Sequence, residues 1–281
     1  MSDRGGLRLR GREFVWGSRT YVMGIVNVTP DSFSGDGRVD VESAIVHARA
    51  QWDLGADLLD IGGESTRPGH APVDEATELA RVIPVVAAVR EQLPSAPISI
   101  DSYKPAVVRA AFEAGADVVN CVYGAPDDLL ALAVRYEMPF VAMHNQQGTH
   151  YDGDVVDAVV TSLERIAAHA LSAGIPREAF IVDPGIGFGK TADQNIAVLR
   201  GLERLTAIGL PTMLGASRKS TLGKLTGRPP EERIVATAAT TALAIASGID
   251  IVRVHDVAAA RDAVAVGDAV VRDWRPHPWT E

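Results

Sequence analysis

Three stretches of the chain share one local pattern: LGADLLDIG (54–62), AGADVVNCV (114–122) and SGIDIVRVH (247–255). Each has a small residue or Leu, then Gly, one residue, Asp, and an apolar run broken by a polar side chain. Glycine in that place suits the left-handed turn that ends a helix. The apolar run after it suits a strand buried on both faces. The repeated unit is therefore helix end, tight turn, parallel strand. Extended along the chain, it predicts strands at 21–28, 56–62, 97–101, 117–122, 139–144, 180–184, 211–217 and 249–255. Helical periodicity fills the gaps, as at 41–54, 76–93, 155–173 and 232–247, with Pro84 a predicted kink in the second.

Strict alternation of strand and helix implies a parallel sheet. Eight such units in 281 residues fit a closed (β/α)8 TIM barrel, for which about 250 residues is usual. No linker divides the chain, so a single α/β domain is expected. Residues 1–20 read as an N-terminal hairpin extension closing the bottom of the barrel, 21–273 as the barrel, and 274–281 as a tail. A net charge of −9 argues against nucleic-acid and membrane-surface partners. One cysteine, Cys121, leaves no disulfide within the chain and disfavours a cysteine-based metal site. With no signal-like or membrane-spanning stretch, the expected location is the cytoplasm.

A barrel carries its chemistry at the C-terminal ends of its strands. Those ends hold Asn27, Glu64 to Arg67, Asp101, Asn120, His144, Asp183, Ser217 with Arg218 and Lys219, and Arg253 with His255. The segment DPGIGFGKT (183–191) comes one residue short of a phosphate-binding P-loop, with Pro184 at the first glycine's place. Proline offers no N–H to a phosphate, so the nucleotide reading is weak and Asp183 becomes the residue of interest. Asp101, Asn120, Asp183 and Lys219 together suit a flat heterocycle with donors and acceptors, such as a 2-amino-4-oxo pyrimidine edge. Arg67, Arg253 and His255 suit a phosphate or pyrophosphate. Asn27 offers an oxygen to Mg2+, which usually binds through few protein ligands and much phosphate.

On GIVNVTPDSFS (24–34), DIGGESTRPG (60–69), ISID (98–101), VN (119–120), MH (143–144), DPGIGFGK (183–190), GASRKS (215–220) and VRVHD (252–256), the chain resembles the dihydropteroate synthase family of pterin-binding barrels along nearly its full length. The resemblance implies condensation of 6-hydroxymethyl-7,8-dihydropterin pyrophosphate with p-aminobenzoate, giving 7,8-dihydropteroate and pyrophosphate, in folate biosynthesis. It implies a homodimer and a target of sulfonamides. By motif, Asp101, Asn120, Asp183, Lys219 and Arg253 hold the pterin. Arg253 and His255, with Asn27 and its Mg2+, meet the pyrophosphate. The p-aminobenzoate pocket forms from Phe33 on a first lid, Thr66, Arg67 and Pro68 on a second, and Phe188, Lys219 and Ser220. Asp101, Arg253, His255 and Lys219 carry catalysis, with leaving-group departure as the obstacle.

Two features depart from the family pattern. Cys121 stands where Asp usually follows the strand-four asparagine, and both a place in the pocket floor and a small buried side chain remain open for it. The first lid reads SGDG (34–37) in place of SDGG. Two alternatives remain: a methyltetrahydrofolate–corrinoid methyltransferase, which has no need of the SRKS lysine or the STRPG arginine, and a non-catalytic pterin-binding paralogue. His144 reads as a hydrogen-bonded structural residue, Lys190 as a loop or cap lysine, and Glu64 as an orienter of the second lid or an acceptor of backbone N–H groups. His47, His70, His150, His169 and His277 read as surface residues.

Overall fold

The structure is a computed structural model that describes residues 5–29, 41–65 and 72–277. A hairpin of β1 (Gly6–Leu9) and β2 (Arg12–Val15) precedes the barrel strands. These are β3 (Tyr21–Asn27), β4 (Leu58–Gly62), β5 (Ile98–Asp101), β6 (Val118–Cys121), β7 (Phe140–Met143), β8 (Phe180–Asp183), β9 (Met213–Leu214) and β10 (Ile251–Val254). The helices are α1 (Val41–Asp53), α2 (Glu75–Gln92), α3 (Pro105–Glu113), α4 (Asp127–Arg135), α5 (Val155–Ala173), α6 (Ala192–Arg200), α7 (Leu202–Thr206), α8 (Ser220–Thr226), α9 (Ile234–Ala246) and α10 (Val257–Val271).

The eight parallel strands run in the order β8-β7-β6-β5-β4-β3-β10-β9. A parallel bridge from Val182 to Thr212 joins the two ends, so the sheet closes into a barrel. All eight expected strands are present. The seventh is shorter than its sequence suggested: Met213–Leu214 rather than 211–217. Pro211 cannot donate to a ladder. Gly215 has already left the strand beside Asp183, whose Oδ2 would lie 3.4 Å from a Cβ at that glycine. The second helix runs unbroken from Glu75 to Gln92 through Pro84.

The repeated glycine and aspartate explain themselves in space. Gly55, Gly115 and Gly248 all adopt positive φ, at 96°, 115° and 86°. The chain thereby reverses from helix to strand without a Cβ penalty. Two residues later the aspartate turns sideways. Asp57 accepts from the Val22 N–H at 2.8 Å, Asp117 from Ile98 at 2.9 Å and Asp250 from Thr212 at 2.9 Å. Each carboxylate thus binds the first N–H groups of a neighbouring strand, donors the ladder leaves over. Arginines offset the charge: Arg19 and Arg261 on Asp57, Arg10 and Arg90 on Asp117.

Inside the barrel the bottom layer is apolar. Met23, Leu58, Val118, Val141, Ile181, Met213 and Ile251 pack with Phe14 and Trp16 of the hairpin segment. The hairpin turns at Arg10 and Gly11, both at positive φ, which matches the strand twist. It plugs the lower end, with the Phe14 ring 4.7 Å from Tyr21 and the Trp16 indole N–H donating to the Glu178 carbonyl at 2.8 Å. The outer faces of the strands pack against the helices in a second, larger core.

Candidate active site

Strand alternation decides which side chains reach the mouth. The register pairs Asp60 with Ser99, Gly62 with Asp101, Asp101 with Asn120, and Met143 with Asp183. Asp60, Asp101, Asn120, Asp183 and Arg253 lie above the apolar bottom layer, facing the barrel axis.

Arg253 is the hub. Its Nε donates to Asp60 Oδ2 and its Nη2 to Asp101 Oδ2, both at 2.6 Å. The Asn120 amide nitrogen donates to the same Asp60 oxygen at 3.1 Å, which leaves the amide carbonyl oxygen for a ligand. The second oxygens of Asp60 and Asp101 are buried with no hydrogen-bond partner among the described residues. Burial pushes the Asp101 carboxyl up to about 7, opposed by Arg253 and reinforced by Asp60. Burial also raises Asp183, whose Oδ1 accepts from the Gly185 N–H at 2.6 Å. Lys219 and Arg253 both act electrostatically on Asp183, and Asn120 joins Arg253 through their shared partner Asp60.

The loop after β8 answers the question its sequence poses. Its lysine faces its own backbone. Lys190 is buried, and its ammonium reaches the Gly185 and Phe188 carbonyls and His144 Nδ1, each at 3.0 Å. Three donors meet three acceptors, none of them a ligand. Burial, with the Lys190 charge, pushes His144 down to about 4, so it stays neutral and accepts at Nδ1; burial brings Lys190 down to about 8. The loop so held presents the Phe188 ring, packed with Val122 and Met143, and the Lys219 ammonium lies 4.1 Å from that ring's centroid.

Across the mouth, the ends of β9 and β10 are laced together. Ser217 Oγ accepts from the His255 backbone N–H at 3.1 Å and meets His255 Nδ1 at 3.0 Å. Both contacts hold the imidazole by its Nδ1 edge, which sets the ring's orientation at the end of β10. Arg218 forms a two-pronged pair with Asp256, at 2.6 and 3.0 Å, from a left-handed backbone at φ 56°. Asn27 ends β3 half-buried, and Ser220 opens α8 exposed at the rim. Glu64 pairs with Lys104 and accepts from Tyr103 at 3.2 Å; Lys104 also binds the buried Glu78.

Phe33, Thr66, Arg67, Pro68 and the SGDG segment lie outside the described residues. Cys121 has a settled place: Asn120 faces inward, so Cys121 faces outward into the strand–helix core, fully buried, its thiol pushed up to about 12 by burial. His144 is hydrogen-bonded and structural, as expected. His47 departs from its surface reading, being half-buried with Nε2 3.3 Å from the Ile25 carbonyl. Sequence reasoning assigned no role to Asp60. Its signal was present: a lone carboxylate in the strand LLDIG, on the same face as Gly62.

Among the described residues no three His, Cys, Asp or Glu side chains gather as a metal site. The amide oxygen of Asn27 fits an ion that arrives with a phosphate-rich ligand and keeps most of its other ligands from there.

Known proteins agree with this geometry. The family profile of pterin-binding enzymes matches residues 23–255. Dihydropteroate synthase from Clostridium beijerinckii is 42% identical over 95% of this chain and 100% of its own length. The Synechocystis enzyme of that name is 45% identical over 93% of each. Among solved structures, Xanthomonas albilineans dihydropteroate synthase with 4-aminobenzoic acid superposes with a TM-score of 0.89 at 43% identity, covering 94% of this chain and 97% of its own. The same enzyme with 7,8-dihydropteroate gives 0.86 at 41% identity, covering 95% and 98%. A match over most of the chain, by profile, by sequence and by shape, leaves one conclusion: the chain belongs to the pterin-binding enzyme family, among the dihydropteroate synthases.

Proposed function

We propose that this protein condenses 6-hydroxymethyl-7,8-dihydropterin pyrophosphate with p-aminobenzoate, yielding 7,8-dihydropteroate and pyrophosphate. The observation that carries the reading is the pairing pattern at the mouth. Asp183 and Asn120 keep acceptor oxygens toward the axis, while Arg253 has only one edge committed to Asp60 and Asp101. A pterin edge presents adjacent N–H donors that a carboxylate accepts two at a time. Asp183 takes that role, with Asn120 and Asp101 alongside.

The p-aminobenzoate nitrogen is unprotonated at neutral pH, so attack needs no general base. Departure of pyrophosphate is the hard step. Arg253 and His255, the latter anchored through Nδ1 to Ser217 Oγ, stabilise charge growing on the leaving group. Asn27 would hold Mg2+ beside it, and the metal when bound would supply further charge neutralisation. The electron-rich dihydropterin spreads positive charge from its methylene carbon, and the Asp101 carboxylate favours that cation. Lys219 over Phe188, with Ser220 at the rim, lines the p-aminobenzoate side. By their motifs, Phe33, Thr66, Arg67 and Pro68 are the further residues assigned to p-aminobenzoate. The proposed location of the reaction is the cytoplasm.

The assay is pyrophosphate release with and without p-aminobenzoate. Release that requires p-aminobenzoate, together with dihydropteroate formation, is expected. No release sinks the reading and leaves the non-catalytic paralogue; methyl transfer to a corrinoid protein would favour the other alternative.

The homodimer belongs to the same proposal. Helix α9 turns Val235, Ala239, Ala242, Leu243 and Ala246 outward, and α10 beside it exposes Val266 and Val270. A helix apolar on its outer as well as its inner face is a helix meant to be covered. A second copy of this chain, apposing the same two helices, covers both at once.

A further inference from the structure

One carboxylate at the centre of the mouth has no part in the assignments above. Asp60 lies mid-strand in β4, fully buried between apolar Leu59 and Ile61. Taking a carboxylate out of water costs several kcal/mol unless it is well paired. Asp60 is only half paired: Oδ2 accepts from both Arg253 and Asn120, and Oδ1 has no partner among the described residues. The neighbourhood is already rich in acid, with Asp60, Asp101 and Asp183 facing Arg253 and Lys219. For stability alone a third buried acid here is a burden. What it does supply is direction. Through one oxygen it fixes the plane of the Arg253 guanidinium and the sense of the Asn120 amide. Arg253 spends Nε and Nη2, its two donors on one edge, on Asp60 and Asp101, while Nη1 makes no hydrogen bond among the described residues. Asn120 cannot turn its amide round without facing its carbonyl oxygen to a carboxylate.

We propose that Asp60 is a positioning residue for the condensation, holding Arg253 with Nη1 toward the diphosphate and Asn120 with its carbonyl oxygen toward the pterin. The inference rests on the proposed function for its chemistry. It differs from a structural ion pair in one measurable way: removing the charge lowers activity without lowering stability.

The test compares Asp60→Asn with the unaltered protein in three measurements. Calorimetric titration with 6-hydroxymethylpterin reads binding. Steady-state kinetics read kcat and both KM values, and thermal unfolding reads stability. Expected is a fall of about 10- to 100-fold in pterin affinity and in kcat/KM for the pterin pyrophosphate, the span for losing a hydrogen bond to a charged group. KM for p-aminobenzoate stays within about threefold, and the melting temperature is unchanged or higher, because Arg253 keeps Asp101 as its partner while one of three buried acids loses its charge. The pH–rate profile adds an independent readout. Asp101 faces Arg253 from β10, Asp60 from β4, Glu78 from α2 and Lys219, and Asp60 is one of the charges that hold it up. The acid limb therefore moves to lower pH in Asp60→Asn. Unchanged affinity and kcat/KM, a stationary acid limb, or a drop in melting temperature that accounts for the lost activity overturns the proposal. Should the unaltered protein bind 6-hydroxymethylpterin yet release no pyrophosphate, the proposed function fails, while the binding arm still decides the role of Asp60.

Discussion

Asp101 shows how one residue carries opposing demands. Burial holds its carboxyl at about 7 against the pull of Arg253. The folded protein therefore keeps its proton more tightly than the unfolded chain does. Between the ordinary carboxylate range near 4 and about pH 7, this group therefore makes the ligand-free protein less stable as pH rises. Unfolding midpoints measured from pH 4.5 to 8 should fall across that window, and Asp101→Asn should flatten that part of the curve. If the ionised carboxylate is what favours the pterin cation, activity moves the other way, with kcat/KM falling as pH drops below about 7. The identities of Asp101, Asn120, Asp183, Lys219 and Arg253 were readable from their places at strand ends. Asp60 was not singled out, because it lies two residues before its strand's end and its role appears only when Arg253, 193 residues later, folds against it. Cys121 was undecided between pocket and core, and strand alternation from Asn120 decides it.

At the scale of elements, the β8–α6 loop is held from within. Replacing Lys190 by Met would leave the Gly185 and Phe188 carbonyls buried without their donor. Unfolding in urea should show a loss of about 2–4 kcal/mol, the usual cost of orphaning buried polar groups. The tight loop also explains Gly185, which sits at φ 68° where any side chain would run into the His144 carbonyl. The near-match to a P-loop in DPGIGFGKT was a fact of spacing alone. Which way Lys190 turns depends on His144, a neighbour in β7 and not in the motif. Likewise the helices and strands were readable to within a few residues from period and punctuation. The short β9 was not, because what ends it is the room Asp183 needs beside Gly215.

For the molecule as a whole, the two ends of the barrel have separate tasks. Trp16 is buried at the lower end, against Tyr21 and bonded to Glu178. Trp16→Ala should destabilise by about 3–5 kcal/mol, as large-to-small changes in packed cores do. At a temperature where the variant is folded, its kcat should match that of the parent, because the chemistry is at the opposite end; a specific loss of kcat would contradict this division. On the outer surface, Leu243→Glu with Val270→Lys should convert the proposed dimer to a monomer in sedimentation velocity. Unaltered mass would place the interface elsewhere.

The sequence by itself determined the alternation of strand and helix, the eightfold count, and the set of polar residues delivered to one rim. Those depend on period, on glycine's backbone freedom and on the direction of parallel strands, all of which are local. The tertiary structure alone decided which carboxylate Arg253 holds, which way Asn120 presents its amide, and that Lys190 serves its own loop. Those depend on distances between residues far apart in the chain, and closure of the barrel is what sets them.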